Sequence, residues 1–228
     1  MRQRPKALIS WSSGKDSAFA LHEVRRAGEL DVVGALTSVS ETFGRVSIHG
    51  VRQEILHAQC EAAGLHQRIV PLPYPCTNAI YEARMGEAVA RAAQEGITHI
   101  IFGDLFLADI RAYREQKLAD TGITPVFPLW QRPTLALAHA MIDSGMEAYL
   151  ATVDLKKLPG EFAGRKFDVQ LLDDLPDGVD PCGENGEFHT CVVAGPFLSR
   201  RIAVSLGDCV ERDGSAYCDL VMEKDVVA

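Results

Sequence analysis

The stretch Ala7–Phe19, ALISWSSGKDSAF, changes within a few residues from an apolar run to a loop of small polar residues. The apolar part, Ala7–Trp11, predicts a short strand, and a helical pattern begins near Asp16. Backbone N–H groups and the positive end of a helix meet at such a junction, which makes it a favourable place for an oxyanion. The sequence therefore predicts a phosphate-binding loop over Ser12–Ser17, called here the phosphate loop.

The residue types in the phosphate loop suit this chemistry. Gly14 allows close backbone approach, Lys15 offers a cation, and three serines (Ser12, Ser13 and Ser17) offer hydroxyls. The loop is not a Walker A motif, because Lys15 is followed by Asp16 and no glycine stands five positions before Gly14. It also lacks the G-x-G-x-x-G dinucleotide pattern. From the loop alone, a serine-capped helix without a ligand stays open as the alternative.

The first 153 residues alternate between short apolar runs and amphipathic helical stretches. The predicted strands are Ala7–Trp11, Val32–Ser38, Arg68–Leu72, His99–Gly103, Pro125–Leu129 and Ala148–Val153. The predicted helices are Asp16–Ala27, Val51–Ala63, Asn78–Glu95, Ile110–Asp120 and Thr134–Ser144. Such alternation is typical of an α/β fold, a doubly wound, mostly parallel sheet with helices on both faces.

The amino-acid composition changes after Asp154, where the chain becomes rich in Gly, Pro and Asp. Three short strands are predicted there, at Phe188–Ala194, Arg201–Ser205 and Ala216–Met222. We therefore expect two units: a nucleotide-binding domain over 1–153, and a smaller C-terminal α+β section over 154–228. The second unit is expected to pack at the carboxyl edge of the sheet, where ligands of such sheets bind.

Composition limits the possible partners. The chain has 31 acidic and 23 basic residues, and the net charge of −8 argues against a broad surface for nucleic acid. No apolar run approaches the roughly 18–20 residues of a membrane span, and the first five residues lead straight into a strand, so we expect a cytoplasmic protein without a membrane partner. The six cysteines show no C-x-x-C pair and no zinc spacing, and we expect them to be reduced.

Two further segments carry candidate site residues. Gly103 and Asp104 follow the fourth predicted strand, at the sheet edge where a ligand-facing acid belongs, although a turn or helix cap is the alternative. The segment Cys182–Thr190, CGENGEFHT, places acids, an amide, a histidine and a hydroxyl around two glycines. Long polar loops on a compact domain often carry function, whereas a glycine-rich hairpin with exposed carboxylates is the alternative. We call Cys182–Thr190 the 182–190 segment.

The phosphate loop, SSGKDS, resembles the S-G-G-x-D-S loop of the PP-loop ATP pyrophosphatases, with Ser13 in place of the first glycine. That family cleaves ATP between the α and β phosphates, and the resemblance implies a Rossmann-like PP-loop fold and a loop that holds the pyrophosphate part. If the backbone at position 13 has a positive φ, the Cβ of Ser13 introduces strain.

The 182–190 segment, followed by Gly195-Pro196, resembles the C-G-E-x-G-E-[FY]-x-T signature of the diphthine–ammonia ligase family. The resemblance runs from about Lys6 to Val204, and Ser47–Leu65 is similar to the shorter bacterial branch. It implies an enzyme that uses ATP to adenylate a carboxylate, forms AMP and pyrophosphate, and transfers ammonia.

The predicted site residues follow from both motifs together. For binding of ATP and its phosphates they are Ser12, Ser13, Gly14, Lys15, Asp16, Ser17, Gly103 and Asp104. For catalysis they are Lys15, Asp16, Glu184 and Glu187, and for Mg²⁺ they are Asp16 and Asp104. On the substrate side they are Cys182, Gly183, Asn185, Gly186, His189 and Thr190.

Two other functions fit the phosphate loop. One is a module that binds an adenine nucleotide or hydrolyses it at the α-phosphate without an acceptor. The other is a tRNA sulfur transferase, which predicts a catalytic cysteine pair and a basic surface. A homodimer is expected only from the general frequency of dimers.

Overall fold

The computed structural model describes residues 4–223 and contains two sheets. The strands are β1 (Lys6–Ser10), β2 (Asp31–Ser40), β3 (Arg45–Val46), β4 (His66–Leu72), β5 (His99–Ile101), β6 (Thr124–Val126), β7 (Glu147–Asp154), β8 (Phe188–Ala194), β9 (Val204–Arg212) and β10 (Ser215–Met222). The helices are α1 (Lys15–Ala27), α2 (Gln53–Ala62), α3 (Asn78–Gln94), α4 (Ala108–Leu118), α5 (Thr134–Asp143) and α6 (Val169–Asp174), with a 3₁₀ turn at Gly160–Phe162. No helix within residues 4–223 is both long and apolar enough to cross a membrane.

The first sheet is mostly parallel, as predicted. Its parallel strands lie in the order β4-β2-β1-β5-β6, and the short β3 pairs antiparallel with the end of β2. The chain builds one side of the sheet from β1 to β4 and then crosses to the other side with β5. The order therefore reverses between β1 and β5, and the crevice outside their carboxyl ends is where ligands of doubly wound sheets bind.

Alternating side chains cover both faces of this sheet, as a doubly wound fold requires. Leu8 and Ile100 belong to a core that includes residues of α3 and α4, whereas Ile9 and Ile101 belong to a core with α1, α2 and α5. The second core continues into the other sheet through residues such as Phe188. A single apolar interior thus joins the two sheets on one face.

The second sheet is antiparallel, in the order β8-β7-β10-β9. Its strand β7 contains the predicted strand Ala148–Val153, but it pairs with β8 and β10 and not with the parallel sheet as expected. An apolar strand has the same appearance in either kind of sheet, so the sequence pattern did not reveal this change. The sheets divide between β6 and β7, and the predicted domain division after residue 153 stays a prediction.

The C-terminal hairpin differs from the prediction. The expected strand Arg201–Ser205 begins at Val204 and extends to Arg212 as β9. Asp213 and Gly214 connect β9 to β10 with φ angles of 53° and 81°, as in the two-residue turns favoured by Asp-Gly. The hairpin register places Cys209 opposite Cys218, and the two form a disulfide. The expectation that all cysteines are reduced is therefore wrong for this pair.

A buried glutamine ties the phosphate loop to the second sheet. Gln59 on α2 is fully buried; its Oε1 accepts from Trp11 Nε1 (3.1 Å), and its Nε2 donates to the carbonyl oxygens of Ser13 (3.2 Å) and Val192 (2.6 Å). One amide side chain thus satisfies polar groups at the end of β1, in the phosphate loop and in β8. The sequence pattern gave no sign of this role.

Replacing this amide is expected to destabilise the fold. Gln59→Leu has similar volume but leaves buried donor and acceptor groups without partners, and we expect the free energy of unfolding to fall by roughly 1–3 kcal/mol. Chemical denaturation measures the change. Gln53→Leu, at an exposed position of the same helix, is the matched control and should change it by less than about 0.5 kcal/mol. Equal effects of the two substitutions would contradict the role of Gln59.

Candidate functional site

The phosphate loop joins β1 to α1 at the reversal point of the sheet. Ser13 has a φ of 68°, so the strain predicted for a side chain at this position is present. Gly14 is extended and precedes the first turn of α1. The hydroxyl of Ser17 donates to the Gly14 carbonyl (3.0 Å) and lies 3.2 Å from the hydroxyl of Ser12. The two hydroxyls therefore lie side by side at the start of the helix.

Gly103 allows the chain after β5 to pack closely against the start of α1. A Cβ at position 103 would lie 2.7 Å from the backbone carbon of Asp16 and 2.8 Å from the nitrogen of Ser17. Because these are backbone atoms, they cannot move aside as a flexible side chain can. Gly103 is thus required for the close approach of the chain after β5 to the phosphate loop.

Lys15 is buried inside the protein, and its side chain does not point to the open side of the phosphate loop. Its Nζ donates to Asp16 Oδ2 (2.9 Å) and to the Cys182 carbonyl, and it lies 5.6 Å and 5.3 Å from the ring centres of Phe167 and Phe188. Burial disfavours its charge, but Asp16, Cys182 and Glu184 together outweigh this effect and raise the pKa of Lys15. The lysine therefore stays a cation that binds the 182–190 segment to the phosphate loop.

The backbone adds two more links between these segments. The Lys15 N–H donates to the Thr190 hydroxyl (3.0 Å), and the Val192 N–H donates to the Ser13 carbonyl (2.9 Å). The two sequence motifs, separated by more than 160 residues, therefore form one structural unit.

A cavity of about 290 Å³ lies at this junction, and we call it the first cavity. The predicted site residues that line it are Ser12, Asp16, Ser17, Gly103, Asp104, Gly183, Glu184, His189 and Thr190. These residues come from the phosphate loop, the end of β5 and the 182–190 segment. The structure thus brings all three predicted motifs to one place.

Glu184 is the carboxylate that the 182–190 segment presents to the first cavity. Its Oε1 accepts from the backbone N–H groups of Leu105 (2.7 Å) and Phe106 (3.4 Å). These two bonds hold the Glu184 side chain against the segment that follows β5. Partial burial raises the pKa of Glu184 to about 7, although the two N–H groups oppose the shift. A carboxyl group with this pKa can exchange a proton near neutral pH.

Glu187 has a different place from the one expected of a catalytic residue. It is buried, and its Oε1 accepts from the Asp180 N–H (3.2 Å) and the Asn185 side-chain amide (3.0 Å). Its carboxylate holds its own loop together and does not line the first cavity. Six other predicted residues also lie outside the lining: Ser13, Gly14, Lys15, Cys182, Asn185 and Gly186.

Cys182 contributes its backbone to the site and keeps its thiol buried. The thiol lies 3.3 Å from the Thr134 carbonyl, and burial raises its pKa above the ordinary value. A neutral thiol is a weak nucleophile, so this environment does not support a catalytic role for it. Its carbonyl, which binds Lys15, is the functional part of the residue.

The two predicted metal ligands differ in their surroundings. Both oxygens of Asp104 accept from the Arg114 guanidinium, at 2.6 Å and 3.0 Å, so this carboxylate is already paired. Asp16 has one oxygen bound to Lys15, whereas its Oδ1 is buried and has no hydrogen-bond partner among the described residues. Within residues 4–223 no cluster of three His, Cys, Asp or Glu side chains is placed to hold a metal ion.

Sequence reasoning missed several residues of the first cavity. The missed members of its lining include Ser10, Ser38, Ser47, His49, Tyr81 and Arg114. His49 precedes Gly50 in a short segment without helical or strand periodicity, which gives no local sign of a site. Ser38 follows the same rule as Asp104, because it lies near the carboxyl end of a parallel strand. Arg114 carries no local signal, since its partner Asp104 is ten residues away.

Removing the Lys15 cation should weaken the whole junction. Lys15→Met leaves Asp16 and the Cys182 carbonyl without their donor, and we expect the free energy of unfolding to fall by roughly 1–3 kcal/mol. Thermal or chemical denaturation measures this. Lys166→Met, a largely exposed lysine near the second sheet, is the control and should have little effect. Unchanged stability of the Lys15 variant would show that the lysine is free to serve a ligand instead.

Comparisons with known proteins show what this chain is similar to. Residues 133–225 match the family model described as the diphthamide synthase C-terminal domain. Diphthine–ammonia ligases of cattle (Bos taurus) and human (Homo sapiens) are each 26% identical to the chain over 239 residues, which span 94% of this chain and 87% of theirs. The zebrafish (Danio rerio) enzyme is 31% identical over 117 residues, or 49% of this chain and 46% of its own.

Among solved structures, a U34-tRNA thiolase from Methanococcus maripaludis with its iron–sulfur cluster is similar over 62% of this chain and 57% of its own. The identity is 19% and the TM-score 0.39, which is too weak a likeness for comparing their sites. The similarity to the sequence relatives is more extensive, and it confirms the resemblance predicted from the two motifs. The chain is thus similar to diphthine–ammonia ligases along 94% of its length.

Proposed function

We propose that the chain is an ATP-dependent ligase that adenylates a carboxylate, releases pyrophosphate, and transfers ammonia to form an amide with release of AMP. The observation that carries this proposal is the shared cavity of the phosphate loop and Glu184, at the reversal point of the sheet. A loop that holds polyphosphate and a carboxyl group that titrates near neutral pH are the two parts this chemistry requires.

The lining of the first cavity suggests how ATP lies in it. The hydroxyls of Ser12 and Ser17 lie at the N-terminus of α1, which favours the pyrophosphate part. An apolar part of the lining, formed by Leu36, Met85 and Phe102, suits the adenine ring. The α-phosphate then lies between these two regions, on the side of the 182–190 segment.

Magnesium fits one of the two predicted ligands. Mg²⁺ is commonly bound by one or two carboxylates together with substrate phosphates, and the unpartnered Oδ1 of Asp16 can supply one such ligand. Asp104 would first have to leave Arg114. When bound, the ion would neutralise charge on the phosphates, a role that the enclosed Lys15 does not fill.

The reaction has two steps. An acceptor carboxylate oxygen attacks the α-phosphorus, and the bond to the bridging oxygen breaks so that pyrophosphate leaves. Ammonia then attacks the acyl carbon, the carbon–oxygen bond to AMP breaks, and one proton of the attacking nitrogen goes to the Glu184 carboxylate. The pKa of Glu184, near 7, allows it to take this proton and return it to water.

A second cavity, of about 980 Å³, suits the body of the acceptor. It shares Ser38, Val46, Ser47, Ile48 and Tyr81 with the first cavity, so the two cavities are adjacent. Its walls carry the aromatic rings of Phe43, Tyr74 and Tyr217 and come from both sheets. An acceptor bound there could extend its carboxylate into the first cavity.

Exchange of labelled pyrophosphate into ATP tests this function against its alternatives. With Mg²⁺ and a panel of carboxylic acids, we expect exchange that depends on one acid and amide formation once ammonia is added. Tight binding of ATP without exchange for any acid would favour a nucleotide-binding module. Formation of AMP and pyrophosphate without an acid would favour an α-phosphate hydrolase.

Glu184→Gln should separate the two steps. Because general-base contributions are typically 10²–10⁴-fold, we expect amide formation to fall by at least about 100-fold. In the unsubstituted protein, the rate per concentration of free ammonia should rise as pH increases through about 7, where Glu184 loses its proton, and this dependence should vanish in Glu184→Gln.

Glu187→Gln is the matched control within the same segment, since its carboxylate holds the loop and does not line the first cavity. We expect it to change stability more than the pH dependence. Full amide formation by Glu184→Gln would remove the proposed role of that residue.

A further inference from the structure

Two histidines meet at the first cavity, and the proposed reaction has not assigned either of them. The ring centres of His49 and His189 are 4.7 Å apart, and both rings line the cavity together with Glu184. His189 belongs to β8, whereas His49 lies in the loop Ser47–Gly50, which we call the histidine loop.

The hydrogen bond of His49 defines which ring nitrogen carries the proton. Its Nδ1 lies 3.0 Å from the carbonyl oxygen of Thr190. A carbonyl oxygen can only accept, so Nδ1 must donate, and in the neutral ring Nε2 then carries a lone pair. His189 makes no side-chain hydrogen bond within the described part of the chain. The two rings therefore offer free hydrogen-bond acceptors to a ligand that enters the cavity.

The histidine loop is held in a strained conformation. Ile48 has a φ of 69°, which is a rare conformation for a β-branched residue, and Gly50 follows with a φ of 68°. Arg45 and Arg52, which flank the loop, both bind the carboxylate of Asp219 in β10, at 2.9 Å and 2.6 Å. Such strain persists where the surroundings impose it, and it commonly marks functional sites.

The charges around the pair keep both rings neutral. Burial lowers the pKa of His49 to about 4, and the Lys15 cation acts in the same direction, while the Thr190 carbonyl opposes it. Burial also lowers the pKa of His189 to about 3, assisted by His49, Lys15 and Lys157.

We propose that His49 and His189 form the binding site for the amine substrate, ammonia or a small primary amine, and hold it in the uncharged form that can attack. This inference rests on the proposed function and adds to it the residues that hold the nucleophile. The lone pair of His49 Nε2 accepts one N–H of ammonia, and His189 can accept another. The nitrogen lone pair stays free for attack on the acyl carbon, and the proton released in that step goes to Glu184.

The test measures the KM for ammonia and the rate of pyrophosphate exchange in the same variants. We expect His49→Ala and His189→Ala to raise the KM for ammonia at least about tenfold, the effect of losing one good hydrogen bond. Because pyrophosphate exchange precedes binding of the amine, its rate should fall by less than about threefold, a change of under roughly 0.7 kcal/mol. His189→Gln keeps an acceptor oxygen and should recover part of the loss. His57→Ala, at an exposed position of α2, is the control and should match the unsubstituted protein.

Three outcomes are decisive against the inference. An unchanged KM for ammonia in both alanine variants overturns it. Equal losses in exchange and in amide formation would assign the pair to the nucleotide instead. Absence of exchange in the unsubstituted protein with every acid overturns the proposed function, and this inference with it.

A spectroscopic measurement is independent of turnover. In full-length protein with ¹⁵N-labelled histidine, His49 should show a protonated Nδ1 and an unprotonated Nε2 at pH 7, and ammonia should shift the Nε2 resonance. A doubly protonated His49 ring at pH 7 would contradict the proposal.

Discussion

The contact between the phosphate loop and the 182–190 segment is the interaction on which the rest of the structure depends. Lys15 reaches from the first turn of α1 to the Cys182 carbonyl, and the Ser13 carbonyl accepts from the Val192 N–H. Gln59 binds the same region from α2. These polar groups are buried where the two sheets meet, so losing one partner leaves another unsatisfied in the interior. The site can form only when both sheets are in place.

This arrangement decides which groups can meet the nucleotide. Because Lys15 is enclosed, the groups that the proposed site offers to phosphates are hydroxyls, backbone N–H groups and the end of a helix. The charge of Asp16 remains on the cavity side, where it favours a cation. Elsewhere in the lining, Glu184 is held by backbone N–H groups after β5, and His49 is held by the Thr190 carbonyl in β8. One part of the lining thus suits polyphosphate, and another suits proton transfer and a neutral nucleophile.

Much of this could be predicted from the sequence, and the exceptions have a common cause. The alternation of strands and helices gave the parallel sheet, and three local motifs gave nine residues that line the first cavity. Three features depend on contacts between distant residues or on the direction of a side chain, which a local pattern does not show. They are the position of β7 in the second sheet, the pairing of Arg114 with Asp104, and the inward direction of Glu187. His49 was missed because its neighbours follow no helical or strand periodicity. Its strained loop is visible only in three dimensions.

The central claim is that the phosphate loop and the 182–190 segment form one ATP site that acts at the α-phosphorus. A crystal structure of the protein with Mg²⁺ and α,β-methylene-ATP, which cannot be cleaved between the α and β phosphates, tests it most directly. The account predicts the β and γ phosphates at Ser12 and Ser17, with the α-phosphorus facing Glu184 and the histidine pair. A nucleotide bound elsewhere, or a γ-phosphate facing Glu184, would contradict it.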